Sequence, residues 1–133
     1  HKILLYKTHC KYNTNHGRVD GGNAYIKPIK PRKNVTILTG SYVNKIEVFA
    51  NKSVRGVKFS RQNRTYFVKC SKEVILSAGS IASPHILMLS GIGPSPHLRQ
   101  VGIPAIQDLH VGNTLRDHAD FHRLVFNSNI VKV

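Results

Sequence analysis

The side chains able to do acid–base, nucleophilic or metal chemistry are few and poorly grouped. Asp117 and His118 stand side by side. That pairing invites a catalytic or metal reading, but neighbours point to opposite sides of a strand and diverge on a helix, so it does not make a triad. His110, His118 and His122 form the only near cluster among eight histidines. A zinc site needs a fourth ligand and better spacing, and surface histidine is the plainer account. Cys10 and Cys70 lie far apart in the chain and fit no metal-binding spacing; both a disulfide and two buried thiols stay open. No catalytic residue and no metal ligand is therefore assigned. A different kind of chemistry is written in Ser77-Ala78-Gly79-Ser80. This run has almost no side-chain bulk, so a ligand or a second backbone can approach closely.

The elements around that run set its position. Val74-Ile75-Leu76 is an apolar run too short for a helix and suited to a strand covered on both faces. Ser83 is expected to cap a following helix, with Pro84 in its first position, where a missing N–H costs nothing. Ile86, Leu87, Met88 and Leu89 make that helix apolar nearly all round, hence buried. Gly91 is expected to end it in the left-handed conformation.

Taken together, Gly79, Ser80, Ser83, Pro84, Leu87, Ser90, Gly91, Ile92 and Gly93 closely resemble the second sequence signature of the glucose–methanol–choline (GMC) oxidoreductases, which are FAD-dependent. The matching segment runs over 72–94. Three further stretches resemble the same family. Gly17-Arg18, Ala24-Tyr25-Ile26 and Pro28 are similar to a short helix in which Asp20 stands where serine is usual. Arg32 to Ile46 is similar to the segment whose valine, here Val43, lies against the FAD adenine. Val111 to His118 fits except at Thr114, where asparagine is usual. Without the resemblance, Val43 reads as a plain core valine. Within the family the likeness is greatest to insect glucose dehydrogenase-type members.

The rest of the chain reads as short elements. Ile3 to Tyr6 suggests a strand, and 13–17 is turn chemistry. Asp20 opens a short helix that ends near Pro28. Val35 to Leu38 reads as a strand. Val43–Phe49, Val54–Ser60 and Thr65–Cys70 follow as an antiparallel meander with tight turns. Ser95 is expected to cap a second helix reaching Val101, and Gly102 to stop it. Leu124 to Phe126 is strand-like. The fold class is α/β, or α+β if the chain is a fragment. The resemblance implies an incomplete part of an FAD/NAD(P)-binding doubly wound domain, with Val35–Leu38 and Val74–Leu76 in a parallel sheet and the meander on one face.

Composition narrows the partners. The formal net charge is +14, from 20 Lys+Arg against 6 Asp+Glu in 133 residues. The basic residues are spread out rather than gathered on one helix, and no nucleic-acid-binding motif accompanies them, so no nucleic-acid partner is expected. No apolar run approaches a membrane span. Asn34-Val-Thr36, Asn51-Lys-Ser53 and Asn63-Arg-Thr65 are glycosylation sequons and favour a secretory, extracellular history.

The resemblance implies that residues 1–133 are a fragment of the FAD-binding domain, with a link to the substrate domain starting near 119–133. It implies FAD as cofactor, Val43, Ala78 and Gly79 as cofactor-binding residues, and an alcohol or sugar as substrate of the parent enzyme. The family's glycine-rich dinucleotide turn and its catalytic histidine find no match here. The fragment alone is thus expected to be inactive. The alternatives are an inactive remnant and a basic module that binds polyanions.

Overall fold

The best-formed unit is a three-stranded antiparallel sheet, β3 (Tyr42–Val48), β4 (Val54–Arg61) and β5 (Arg64–Lys69), paired in sequence order. A computed structural model of the chain describes residues 11–13 and 17–117. Val43 faces Phe59 and Ile46 faces Val57 across β3 and β4; Val57 faces Val68 and Phe59 faces Tyr66 across β4 and β5. These β-branched and aromatic pairs are what stabilise a sheet. Ile46, Val57 and Phe59 are buried, and the Phe59 and Tyr66 rings stack with centroids 5.5 Å apart. Gln62 and Asn63 both take positive φ, 49° and 59°, between the paired Arg61 and Arg64. That is the left-handed, two-residue turn whose twist suits a hairpin. The imperfect alternation of β3 has a cause: its register shifts between Val43 and Lys45 and again between Glu47 and Val48.

Before the sheet, β1 (Lys11–Asn13) and β2 (Gly17–Val19) pair antiparallel, and the expected turn between them falls outside the described residues. Asp20 then organises a π-helical turn over Gly22–Ile26. Its carboxylate accepts from the Asn23 N–H at 2.7 Å and its carbonyl from the Ala24 N–H at 2.9 Å. Aspartate thus caps this turn where serine was expected by likeness. The helical run continues through α1 (Lys27–Ile29) and ends just past Pro28, as expected.

Helix α2 (Gly79–Leu89) packs against β3. Gly91 follows at φ +81°, and a Cβ there would lie 2.6 Å from the Pro104 carbonyl oxygen, so the expected glycine stop holds. Beyond it, β6 (Ile92–Gly93) pairs in parallel with β7 (Gln107–Asp108), and α3 (Ser95–Gln100) lies between them in the chain. Leu98 of α3 is fully buried. The Asp108 carboxylate accepts the Ser95 N–H at 2.9 Å. The cap of α3 is therefore lent by β7, while Ser95 itself is the first helical residue.

Several expectations change. Val35–Leu38 and Val74–Leu76 are not strands here; no described strand lies beside either of them. A strand is made by its neighbours, and an apolar run alone does not supply the ladder. Ile75 is 43 % exposed rather than covered. Helix α2 begins at Gly79, so Ser83 and Pro84 sit inside it rather than at its start. Only Ile86 of α2 is buried and Ile81 is 75 % exposed, so the helix is covered on one side. The expected strands at Ile3–Tyr6 and Leu124–Phe126, together with Cys10, His118 and His122, fall outside the described residues.

A candidate cofactor-binding wall

Val43 enters the site from the first strand of the sheet. It sits half-buried near the start of β3, just before the first register shift. Its branched side chain has little rotamer freedom and makes a stiff apolar surface. Opposite it runs the extended segment 74–76. Val43, Ile46, Val57 and Val68 of the sheet and Val74 and Leu76 of that segment line one apolar cleft. The cleft holds about 40 Å³. Pockets that enclose a whole ligand run to roughly 300–1,000 Å³. The cleft is thus too small to enclose a ligand by itself.

Ala78 and Gly79 stand just past Leu76, outside the lining of that cleft. The structure brings Val43 and residues 74–76 to one cleft, and the two small residues follow that segment where α2 starts. Gly79 has φ +92°, a region that side-chain-bearing residues rarely enter. Its identity is thus required by the backbone as well as by any close approach. The Ala78 N–H donates to the Ser83 hydroxyl at 2.9 Å. Ser83 is thus not the expected N-cap; from inside the helix its hydroxyl reaches back to the residue before α2.

What fixes the two halves of the wall relative to each other is Ser90. The Ile46 N–H on the free edge of β3 donates to the Ser90 hydroxyl at 2.8 Å, and that hydroxyl donates to the Ile86 carbonyl at 2.6 Å. Ser90 is 5 % exposed. One hydroxyl so satisfies a strand donor left over by the bulges and a carbonyl in the last turn of α2. Sequence reasoning placed Ser90 in the signature but gave it no task. Its position directly before the helix-ending glycine was the only signal, and the strand it serves lies 44 residues away.

The other chemical candidates do not assemble. His110 is exposed and its ring bonds the Asn113 side chain at 3.2 Å. Among the described residues there is no group of three His, Cys, Asp or Glu able to hold a metal. Cys70 is half-buried at the rim of the apolar cleft. No described helix is long and apolar enough to cross a membrane.

A meander packs through β3 against a helix entered at glycine, and an apolar cleft lies between the sheet and residues 74–76. Comparison makes this specific: residues 5–120 match the GMC oxidoreductase family model, and the chain belongs to the GMC oxidoreductase family. It is 44 % identical over 106 residues to the oxygen-dependent choline dehydrogenase of Rhizobium etli, covering 79 % of this chain and 19 % of that protein. The structure resembles pyridoxine 4-oxidase from Mesorbium loti with a TM-score of 0.66 at 34 % identity, over 72 % of this chain and 19 % of that one. It resembles Aspergillus oryzae formate oxidase, a protein studied for modification of its FAD, with a TM-score of 0.58 at 32 % identity, over 60 % and 14 % of the two chains. The chain thus spans about a fifth of the length of the curated relatives it matches. The assignment is to the family and does not single out its glucose dehydrogenase-type members. FAD is the cofactor of the family, and the stiff apolar wall under Val43 fits the edge of an aromatic ring system.

Proposed function

We propose that this chain is part of the FAD-binding wall of a longer enzyme that oxidises a CH–OH group of an alcohol or sugar to a carbonyl. The observation that carries the reading is the apolar cleft shared by Val43, Val74 and Leu76, with Ala78 and Gly79 following a few residues on in the chain, where α2 starts. In this reading Val43 gives the adenine a rigid apolar face, and Ala78 and Gly79 leave room for the cofactor to pass close to the backbone. Ser90 holds β3 and α2 at a fixed separation so that both faces meet the cofactor together. When bound, FAD supplies the acceptor for the hydride that leaves the CH–OH carbon. The chain's own residues bind and orient; none of those described is given the substrate proton. Thr114 lies where the resemblance expects asparagine.

The test uses the whole protein. Its flavin absorbance per mole is measured after desalting, and dye reduction is assayed with choline, glucose and small alcohols. Bound flavin and turnover with at least one such donor are expected. A well-folded whole protein without flavin would remove the proposal.

A further inference from the structure

We propose that the two hairpin tips of the meander are N-glycosylation sites, with a glycan on Asn51, on Asn63 or on both. Asn51 and Asn63 each open an Asn-x-Ser/Thr sequon, as does Asn34. The ten asparagines of the chain would give about one sequon at random for its Ser and Thr content, and it has three. All three asparagines are exposed. Two of them lie at turns where a bulky solvated group disturbs no ladder hydrogen bond.

The plainer account is that asparagine is simply a good turn residue, and it covers part of each site. At Asn51 the side-chain oxygen accepts from the Ser53 N–H at 3.1 Å and from the Ser53 hydroxyl at 2.7 Å. This is an Asx turn, and Lys52 completes it at φ +66°. The contact occupies the amide oxygen and leaves the amide nitrogen, the atom that would be modified, without a partner in that turn. At Asn63 the positive φ explains the asparagine. It does not explain Thr65 two residues later, an exposed side chain on the outer strand. The turn accounts for half of this sequon only. Asn51 follows Phe49 and Ala50, which line a groove of about 520 Å³ beside the free edge of β3. Phe49 is 47 % exposed there, so a glycan on Asn51 would stand close to an exposed aromatic ring. Asn63 lies at the opposite end of the same sheet.

The modification is a group transfer from a lipid-linked oligosaccharide diphosphate. The bond from the sugar anomeric carbon to the diphosphate oxygen breaks, a bond from that carbon to the asparagine amide nitrogen forms, the amide gives up one proton, and the lipid diphosphate leaves. It consumes no oxidant or reductant. It requires that the protein enter a secretory compartment.

The test is made on the whole protein isolated from its own source. Tryptic peptides are treated with a peptide N-glycosidase in heavy-oxygen water, which converts each formerly glycosylated asparagine to a labelled aspartate. Label at position 51 or 63 is expected, and no such peptide should be found unmodified in full. Unlabelled asparagine at both positions overturns the proposal, whatever the state of Asn34. Expression of N51Q and N63Q through a eukaryotic secretory pathway supplies the second readout: each should remove one step of glycosidase-sensitive mass. If neither changes the mass of the secreted protein, the proposal also fails.

Discussion

The meander and the signature segment are neighbours in the fold but stand on different footings. Residues 42–69 close their own ladder. The pairs Val43–Phe59, Ile46–Val57 and Val57–Val68 join consecutive strands of one short stretch of chain, and Ile46, Val57 and Phe59 are buried. Residues 74–89 are as apolar but remain half-covered. Val74–Leu76 stays extended with no described strand beside it, Ile75 is 43 % exposed and Ile81 of α2 is 75 % exposed. The same hydrophobic composition thus yields a finished sheet where contacts are local, and an open surface where the required neighbours are distant. Surface of that kind is expected to be covered by other parts of a longer protein.

Substitutions can break this comparison, and the largest effect is expected at the seam. Gly79→Leu in the whole protein should abolish FAD retention, because it places a branched side chain where the cofactor would pass and where φ is +92°. Flavin absorbance per protein after desalting reads this directly, and a normal flavin content would sink the role given to Gly79. Within the meander, Gly56→Val should destabilise the fold by about 1–3 kcal/mol, the usual cost of forcing bulk into a filled site. A Cβ at Gly56 would come within 2.7 Å of Phe67 Cζ and closer still to the Val68 carbonyl. Denaturant unfolding gives the number, and a neutral result would show that β5 can move aside. Ser90→Ala should cost about 1–3 kcal/mol by leaving the buried Ile46 N–H without a partner. Ser90→Thr keeps the hydroxyl and should recover most of that loss, provided its methyl is accommodated. The smallest change is expected at Arg55. It pairs with Glu47 at 3.4 Å and lies over the Phe49 and Phe67 rings, but its side chain is 54 % exposed. Arg55→Ala should cost no more than about 1 kcal/mol, with a dependence on salt.

The division between legible and illegible follows the same line. The meander could be read from Val54–Ser60 and its neighbours because turn residues and alternation are local signals. The glycine stop at Gly91 was legible too, whereas the role proposed for Val43 rests on likeness to a family. Val35–Leu38 and Val74–Leu76 were read as strands from their apolar runs, but strand formation depends on a neighbour that periodicity does not reveal. Ser83 and Pro84 carried a standard helix-start pattern. The helix nevertheless begins earlier, since the turn at Gly79 and the Ser83–Ala78 bond allow the chain to coil sooner. The loan of Asp108 to α3 and the reach of Ser90 to Ile46 join residues far apart in sequence. No local pattern encodes such pairs. The one parallel pairing among the described residues, β6 with β7, is two residues long and left no periodic trace.

The central claim is that residues 1–133 furnish one wall of an FAD site that the remainder of a longer enzyme completes. It is tested most directly by titrating FAD into refolded residues 1–133 and into the whole protein, then desalting both and measuring bound flavin per chain. The account predicts close to one flavin in the whole protein and none retained by the isolated piece, which should also tend to aggregate through its open edges. Flavin held by residues 1–133 alone would contradict it, and would mean that these residues contain a complete site.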